Sequence, residues 1–180
     1  MTKYIVLLRG INVSGKNIIK MAELKILLEN IGFENITTYI QSGNIVLDSV
    51  IEEKSKIEEI IQSSIKNSFK LDVPLKAINF DELKQITEQN PFINLSDIDF
   101  SKLHYTILSN EPSSDLINKL VLNSYEPDNF KIIKNVIYLY CPNGYGNTKL
   151  SNTFFEKKLK VNATTRNFNT ISKLIEIASS

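Results

Sequence analysis

The stretch Tyr4-Ile5-Val6-Leu7-Leu8-Arg9-Gly10-Ile11-Asn12-Val13-Ser14-Gly15-Lys16-Asn17 decides how this chain folds. Its first residues are apolar without alternation, which predicts a strand over 3–8 covered on both faces. Two glycines and a row of small polar groups then make a loop. Beyond it, Leu24, Leu27, Leu28 and Ile31 recur at helical spacing, and Gly32 stands where a glycine ends a helix.

Working outward, Ile36–Ile40 and Asn44–Asp48 read as a hairpin around Gln41-Ser42-Gly43. Ser49 and Glu52 have the spacing of a capping box for a helix that buries Ile57, Ile60, Ile61 and Ile65. Val73–Asn79 is a further strand, placed at an edge or a strand start by Pro74. The order is β-α-β-β-α-β. After a helix over Asp81–Gln89 and a connection to Asp99, the order recurs. Leu103–Leu108 is a strand, and Ser113 caps a helix. Phe130–Ile133 and Val136–Cys141 form a second hairpin, and Ser151–Leu159 is a helix. Val161–Thr164 is a short strand, and Thr170 caps a last helix. The expectation is an α+β protein of two ferredoxin-like (β-α-β-β-α-β) halves in tandem with an extra C-terminal helix. The first half is 1–80, the helix and connection 81–100, and the second half with the C-terminal helix 101–180.

Composition narrows the function. Lys+Arg is 21 against Asp+Glu 20, a net charge of +1. So balanced a chain has no global field to draw in nucleic acid, which would need a local patch. The one cysteine, Cys141, excludes an internal disulfide and points to the cytoplasm. No apolar run is long enough to span a bilayer, so no membrane partner is expected. Arginine occurs only at Arg9 and Arg166, each inside a motif-like segment. Its planar fork suits carboxylate or phosphate contacts, and equally a buried structural pair.

The expected topology gathers two polar clusters. In the first half, the loop after strand one and the turn between strands two and three share one end of the sheet. Arg9, Asn12, Lys16, Asn17, Gln41, Ser42 and Asn44 should converge there. In the second half, the loop 142–149 and the exit from the last strand should bring together Asn143, Tyr145, Lys149, Arg166, Asn167 and Asn169.

Several motifs fall short. Gly10 to Asn17 is one residue from a phosphate-binding P-loop, but Asn17 replaces the magnesium-binding hydroxyl. The residues after Lys16 also look extended rather than helical. Tyr105, Tyr138 and Tyr140 could stack bases on an open sheet, although packing is the favoured role. A helix-turn-helix over 151–169 is disfavoured because Thr164-Thr165-Arg166-Asn167 is poor helix-forming sequence. His104 is expected to be packed or at the surface, and Cys141 to be a small buried residue. No metal-binding set of residues can be assembled, and the sequence leaves any cofactor unknown.

Leu7-Leu8-Arg9-Gly10-Ile11-Asn12-Val13, Gly15-Lys16-Asn17, Met21-Ala22-Glu23-Leu24 and Thr38-Tyr39-Ile40-Gln41-Ser42-Gly43-Asn44 resemble a bacterial family known as domain of unknown function 1697. Pro142-Asn143-Gly144-Tyr145-Gly146, Lys149-Leu150 and Ala163-Thr164-Thr165-Arg166-Asn167 with Asn169-Thr170 look like its C-terminal motifs. The sequence departs from the pattern at Ser14, where glycine is expected, and at Phe168, where tryptophan is expected. The resemblance implies two ferredoxin-like halves and no established activity. It sets signature residues in both polar clusters.

The leading expectation is a binding protein for an anionic small molecule or a nucleic acid. Arg9 and Lys16 would supply charge, and Asn12, Asn17, Gln41 and Asn44 oriented hydrogen bonds. An enzyme acting on such a ligand without histidine or metal chemistry is the second reading. A structural or interaction module, with a homo-oligomer left open, is the third.

Overall fold

A computed structural model describes all of residues 1–180. It is a mixed α/β structure with two four-stranded antiparallel sheets and six α-helices. The chain divides into two compact units, residues 1–85 with 173–180, and residues 86–172.

In the first unit, β1 (Thr2–Leu8), β2 (Glu34–Tyr39), β3 (Asn44–Ser49) and β4 (Leu75–Asn79) form a sheet in the order β2-β3-β1-β4. Because β3 is antiparallel to both β1 and β2, those two run in the same direction. The end of β1 and the β2–β3 turn therefore share one end of the sheet. Tyr4 to Leu8 are all at most 2% exposed, so both faces of β1 are covered. Tyr4, Val6 and Leu8 pack with Ile45 and Leu47 beneath α1 (Met21–Asn30) and α2 (Lys54–Phe69).

The first helix ends as the glycine foretold. Gly32 has φ +94°, its N–H donates to the Glu29 carbonyl at 3.1 Å, and that of Phe33 donates to Leu28 at 3.2 Å. This is a Schellman closure, with Phe33 and Leu28 both in the core beneath it. The start of α2 differs from expectation. Ser49 still belongs to β3, opposite Thr2, and its hydroxyl accepts from the Ile51 N–H in a tight turn. The helix opens only at Lys54, with Glu53 at its N-cap. Ile57, Ile61 and Ile65 then fall on one buried face.

In the second unit, β5 (Leu103–Leu108), β6 (Asn129–Ile133), β7 (Val136–Tyr140) and β8 (Ala163–Asn167) repeat the pattern in the order β6-β7-β5-β8. α4 (Ser114–Val121) and α5 (Asn152–Leu159) supply helices, between α3 (Phe80–Glu88) and α6 (Phe168–Ser179) in the chain. One buried cluster joins Leu108, Ile137, Leu139 and Ala163 of the sheet to Leu120, Phe155 and Leu159 of the helices.

Two boundaries correct the expectation. The last strand runs over Ala163–Asn167, further than the short strand expected, because Thr164 and Thr165 suit extended backbone and pair with Ile107 and Thr106. This pairing also removes the helix-turn-helix. The final helix is capped by Asn167, whose Oδ1 accepts the Thr170 N–H at 2.8 Å, rather than by Thr170 itself.

Candidate functional site

The first cluster forms where the topology places it, and it is closed by its own amides. Asn12 Nδ2 donates to the Gln41 carbonyl at 2.8 Å and the Ile19 carbonyl at 2.9 Å, while its Oδ1 accepts the Ile19 N–H at 2.9 Å. Asn17 Nδ2 donates to the Gly10 carbonyl at 2.8 Å. Asn44 is fully buried, and its Nδ2 donates to the Tyr39 carbonyl and the Ser42 hydroxyl. Three of the expected ligand amides are thus spent on holding loops together.

The loop itself is a small hairpin. Ser14 and Gly15 both have positive φ between Val13 and Lys16, which bridge through the Lys16 N–H on the Val13 carbonyl at 3.0 Å. Lys16 is exposed on this hairpin and α1 begins only at Met21, so the lysine does not open a helix as a P-loop requires. Arg9 is half-buried at the end of β1, with its N–H on the Pro74 carbonyl at 2.8 Å. Gln41 is exposed.

The second cluster is divided by the pleat of the sheet. Residues directly opposite in antiparallel strands share a face, and neighbours along a strand do not. Arg166 lies opposite Tyr105, which lies opposite Tyr138, so these three share one face. Asn167 lies opposite His104, on the other face. Arg166 donates to the Thr165 carbonyl at 2.9 Å, and burial draws its pKa down to about 10, leaving it charged at neutral pH. Asn169 is exposed in the first turn of α6.

On the helix-covered face, Tyr145 stacks on His104 with ring centroids 4.8 Å apart. Tyr145 donates its hydroxyl proton to Thr165 Oγ1 at 3.2 Å, and Thr165 donates to Asn152 Oδ1 at 2.6 Å. A hydroxyl has one proton, so Thr106, 2.6 Å from Thr165, must be the donor in that pair. His104 Nδ1 lies 3.2 Å from the Lys102 carbonyl, which can only accept, so the neutral ring carries its proton there. His104 is 8% exposed, as a packed residue, and burial lowers its pKa. Burial pushes the Cys141 thiol up to about 11, with Asp128 adding in the same direction, so it is no nucleophile at neutral pH.

The remaining members of that cluster, Asn143 and Lys149, line a cleft of about 500 Å³ in the second unit. Tyr125, Glu126, Asp128, Asn147, Phe154 and Lys158 also line it, whereas Arg166, Asn167 and Asn169 do not. Its volume falls in the range of small-molecule sites. Lys149 and Lys158 are exposed and neither has a carboxylate partner, unlike Lys54 and Lys76, which sit 2.6 Å from Glu82 and 3.1 Å from Glu58. Asn147 Nδ2 donates to the Asn143 carbonyl at 2.8 Å, and Asp128 accepts from the Thr148 hydroxyl. Sequence reasoning found two residues of this cleft and missed the polar run Asn123 to Asp128. The visible signal was that run's lack of any apolar period between α4 and β6. Nowhere does the fold bring three His, Cys, Asp or Glu side chains together in a metal-binding group. No helix is long and apolar enough to cross a membrane.

Fold and site thus define a mixed α/β protein built of two four-stranded antiparallel sheets, the second unit carrying a cleft of mixed polar and aromatic lining. The chain belongs to the family described as protein of unknown function (DUF1697), whose model matches residues 1–138. It is similar in structure to the conserved bacterial protein SP0830 from Streptococcus pneumoniae, with a TM-score of 0.76 and 24% identity over 98% of this chain and 98% of that chain. A comparison with the curated proteins finds no match. The structural likeness speaks for the fold alone.

Proposed function

We propose that this protein binds a small phosphate- or carboxylate-bearing molecule in the cleft of its second unit. One observation carries this reading: Lys149 and Lys158 line a cleft of about 500 Å³ with Asn143 and Asn147, and neither lysine has a carboxylate partner. Two unpaired ammonium groups attract an anion, and amides add directed hydrogen bonds. The near-neutral chain favours a small ligand over nucleic acid. For the first cluster, the amides of Asn12, Asn17 and Asn44 on backbone oxygens favour a structural role. The strand orders β2-β3-β1-β4 and β6-β7-β5-β8 support reading the units as ferredoxin-like halves that arose by duplication. The lone, buried Cys141 supports a cytoplasmic location.

The test is thermal unfolding of the full chain with inorganic phosphate, ribose 5-phosphate and citrate, for wild type and the Lys149→Ala/Lys158→Ala double variant. Both lysines are exposed, so the variant folds. At a hundred times Kd, a ligand stabilises the wild type by about 2.7 kcal/mol. The expected result is a raised midpoint in wild type and a much smaller rise in the variant. Equal shifts in both proteins, or none in either, refute the reading.

A further inference from the structure

We infer that the ligand of this cleft is a nucleotide, with a planar base against the Tyr125 and Phe154 wall and its phosphate between Lys149 and Lys158. The inference rests on the anion site proposed above and adds the chemistry of the remaining walls. Tyr125 and Phe154 both line the cleft and pack edge to face at 5.6 Å. Tyr125 also meets Phe130 at 5.6 Å, and its hydroxyl is tied back to the Leu120 carbonyl at 3.3 Å. The aromatic wall is therefore held in place, and both of its cleft residues remain partly exposed. A bare phosphate or a small carboxylate has nothing to set against such a wall, whereas every base has a π-face to stack.

The signs of charge point the same way. A cleft built for a simple polyanion would be basic throughout, but Glu126 and Asp128 line this one along with the lysines. Carboxylates repel phosphate and accept hydrogen bonds from hydroxyls. A ligand with an anionic end and a diol, as in a ribose phosphate, satisfies both sets of groups. The Asn143 side-chain amide, and the Asn147 amide oxygen that its bond to the Asn143 carbonyl does not use, can meet the edge of a base. Lysines, carboxylates, amides and aromatic rings on one cleft match phosphate, ribose hydroxyls, base edge and base face.

The experiment is calorimetric titration of the full chain with AMP, GMP, CMP and UMP, and with ribose 5-phosphate and inorganic phosphate. At least one nucleotide should bind about tenfold or more tightly than ribose 5-phosphate, the scale of one base stacked on an aromatic ring. Tyr125→Leu should bring that nucleotide to the level of ribose 5-phosphate, and Tyr125→Phe should retain the preference. Should Tyr125→Leu unfold, saturation transfer from tyrosine ring protons in the wild type should label base protons above ribose protons. Equal affinity for ribose 5-phosphate and all four nucleotides overturns the inference and leaves the anion site standing. Binding of no compound, or nucleotide binding unaltered by Lys149→Ala/Lys158→Ala, overturns both.

Discussion

Gly43→Ala should be the most damaging single-methyl change in the first unit. A Cβ on Gly43 would lie 2.6 Å from Leu8 Cβ and 2.8 Å from Ile11 Cδ1. Leu8 and Ile11 are 0% and 1% exposed, so neither has room to retreat. Gly43 also has φ +76°, where an L side chain is strained by about 1–2 kcal/mol. Overpacking adds about 1–3 kcal/mol, and the two together come to about 2–5 kcal/mol. The backbone cannot slide away easily, because the Gly43 carbonyl accepts the Leu8 N–H at 2.8 Å. Gly10→Ala is the control. Gly10 lies at the same end of the sheet with φ +70°, and its added Cβ would meet nothing within 4 Å. It carries the strain without the clash. Urea unfolding followed by circular dichroism should place the Gly43→Ala midpoint lower by about 1 M or more, with Gly10→Ala between it and wild type. If Gly43→Ala proves no more destabilising than Gly10→Ala, the close approach of the β2–β3 turn to the first loop is wrong.

Two further expectations follow from individual side chains. Asn12→Ala removes three hydrogen bonds, each worth about 0.5–1.5 kcal/mol net. It should cost about 1.5–4.5 kcal/mol, and amide exchange at Ile19 should accelerate. Unchanged exchange there would mean that Asn12 is not the clamp. His104 is the only histidine, so its ring proton resonance can be followed directly by NMR. Burial lowers its folded-state pKa below the ordinary 6.5, so in acid the unfolded chain binds the extra proton more readily. Its contribution to stability is therefore full above about 6.5 and is lost as pH falls from there through the folded pKa. A native midpoint at or above 6.5 would contradict the buried, Tyr145-stacked ring, and His104→Gln should flatten that part of the pH profile.

Local patterns were read from the chain with little help. Continuous apolar residues from Tyr4 to Leu8 marked a doubly covered strand, and Gly32 marked a helix end, because strand burial and left-handed backbone depend on nearest neighbours. The order of elements and the convergence of the first loop with the Gln41–Asn44 turn were legible for the same reason. Hydrogen-bond partners were not. Asn12 is as good a ligand group as a loop clamp in one dimension, and only the position of the Ile19 and Gln41 backbone decides between them. Arg166 and Asn167 looked like one polar exit loop until the pairing of β8 with β5 extended the strand through them and set them on opposite faces.

The cleft shows the division most clearly. Lys149 and Asn143 stood out in sequence as members of a glycine-bearing loop. Tyr125, Glu126, Phe154 and Lys158 come from two other segments, and no spacing rule links them. The sequence by itself determined which segments become strands and helices, because periodicity and glycine chemistry act within a few residues. The tertiary structure alone decided which polar groups are consumed in holding loops and which face open space. That outcome depends on backbone atoms brought together from distant parts of the chain.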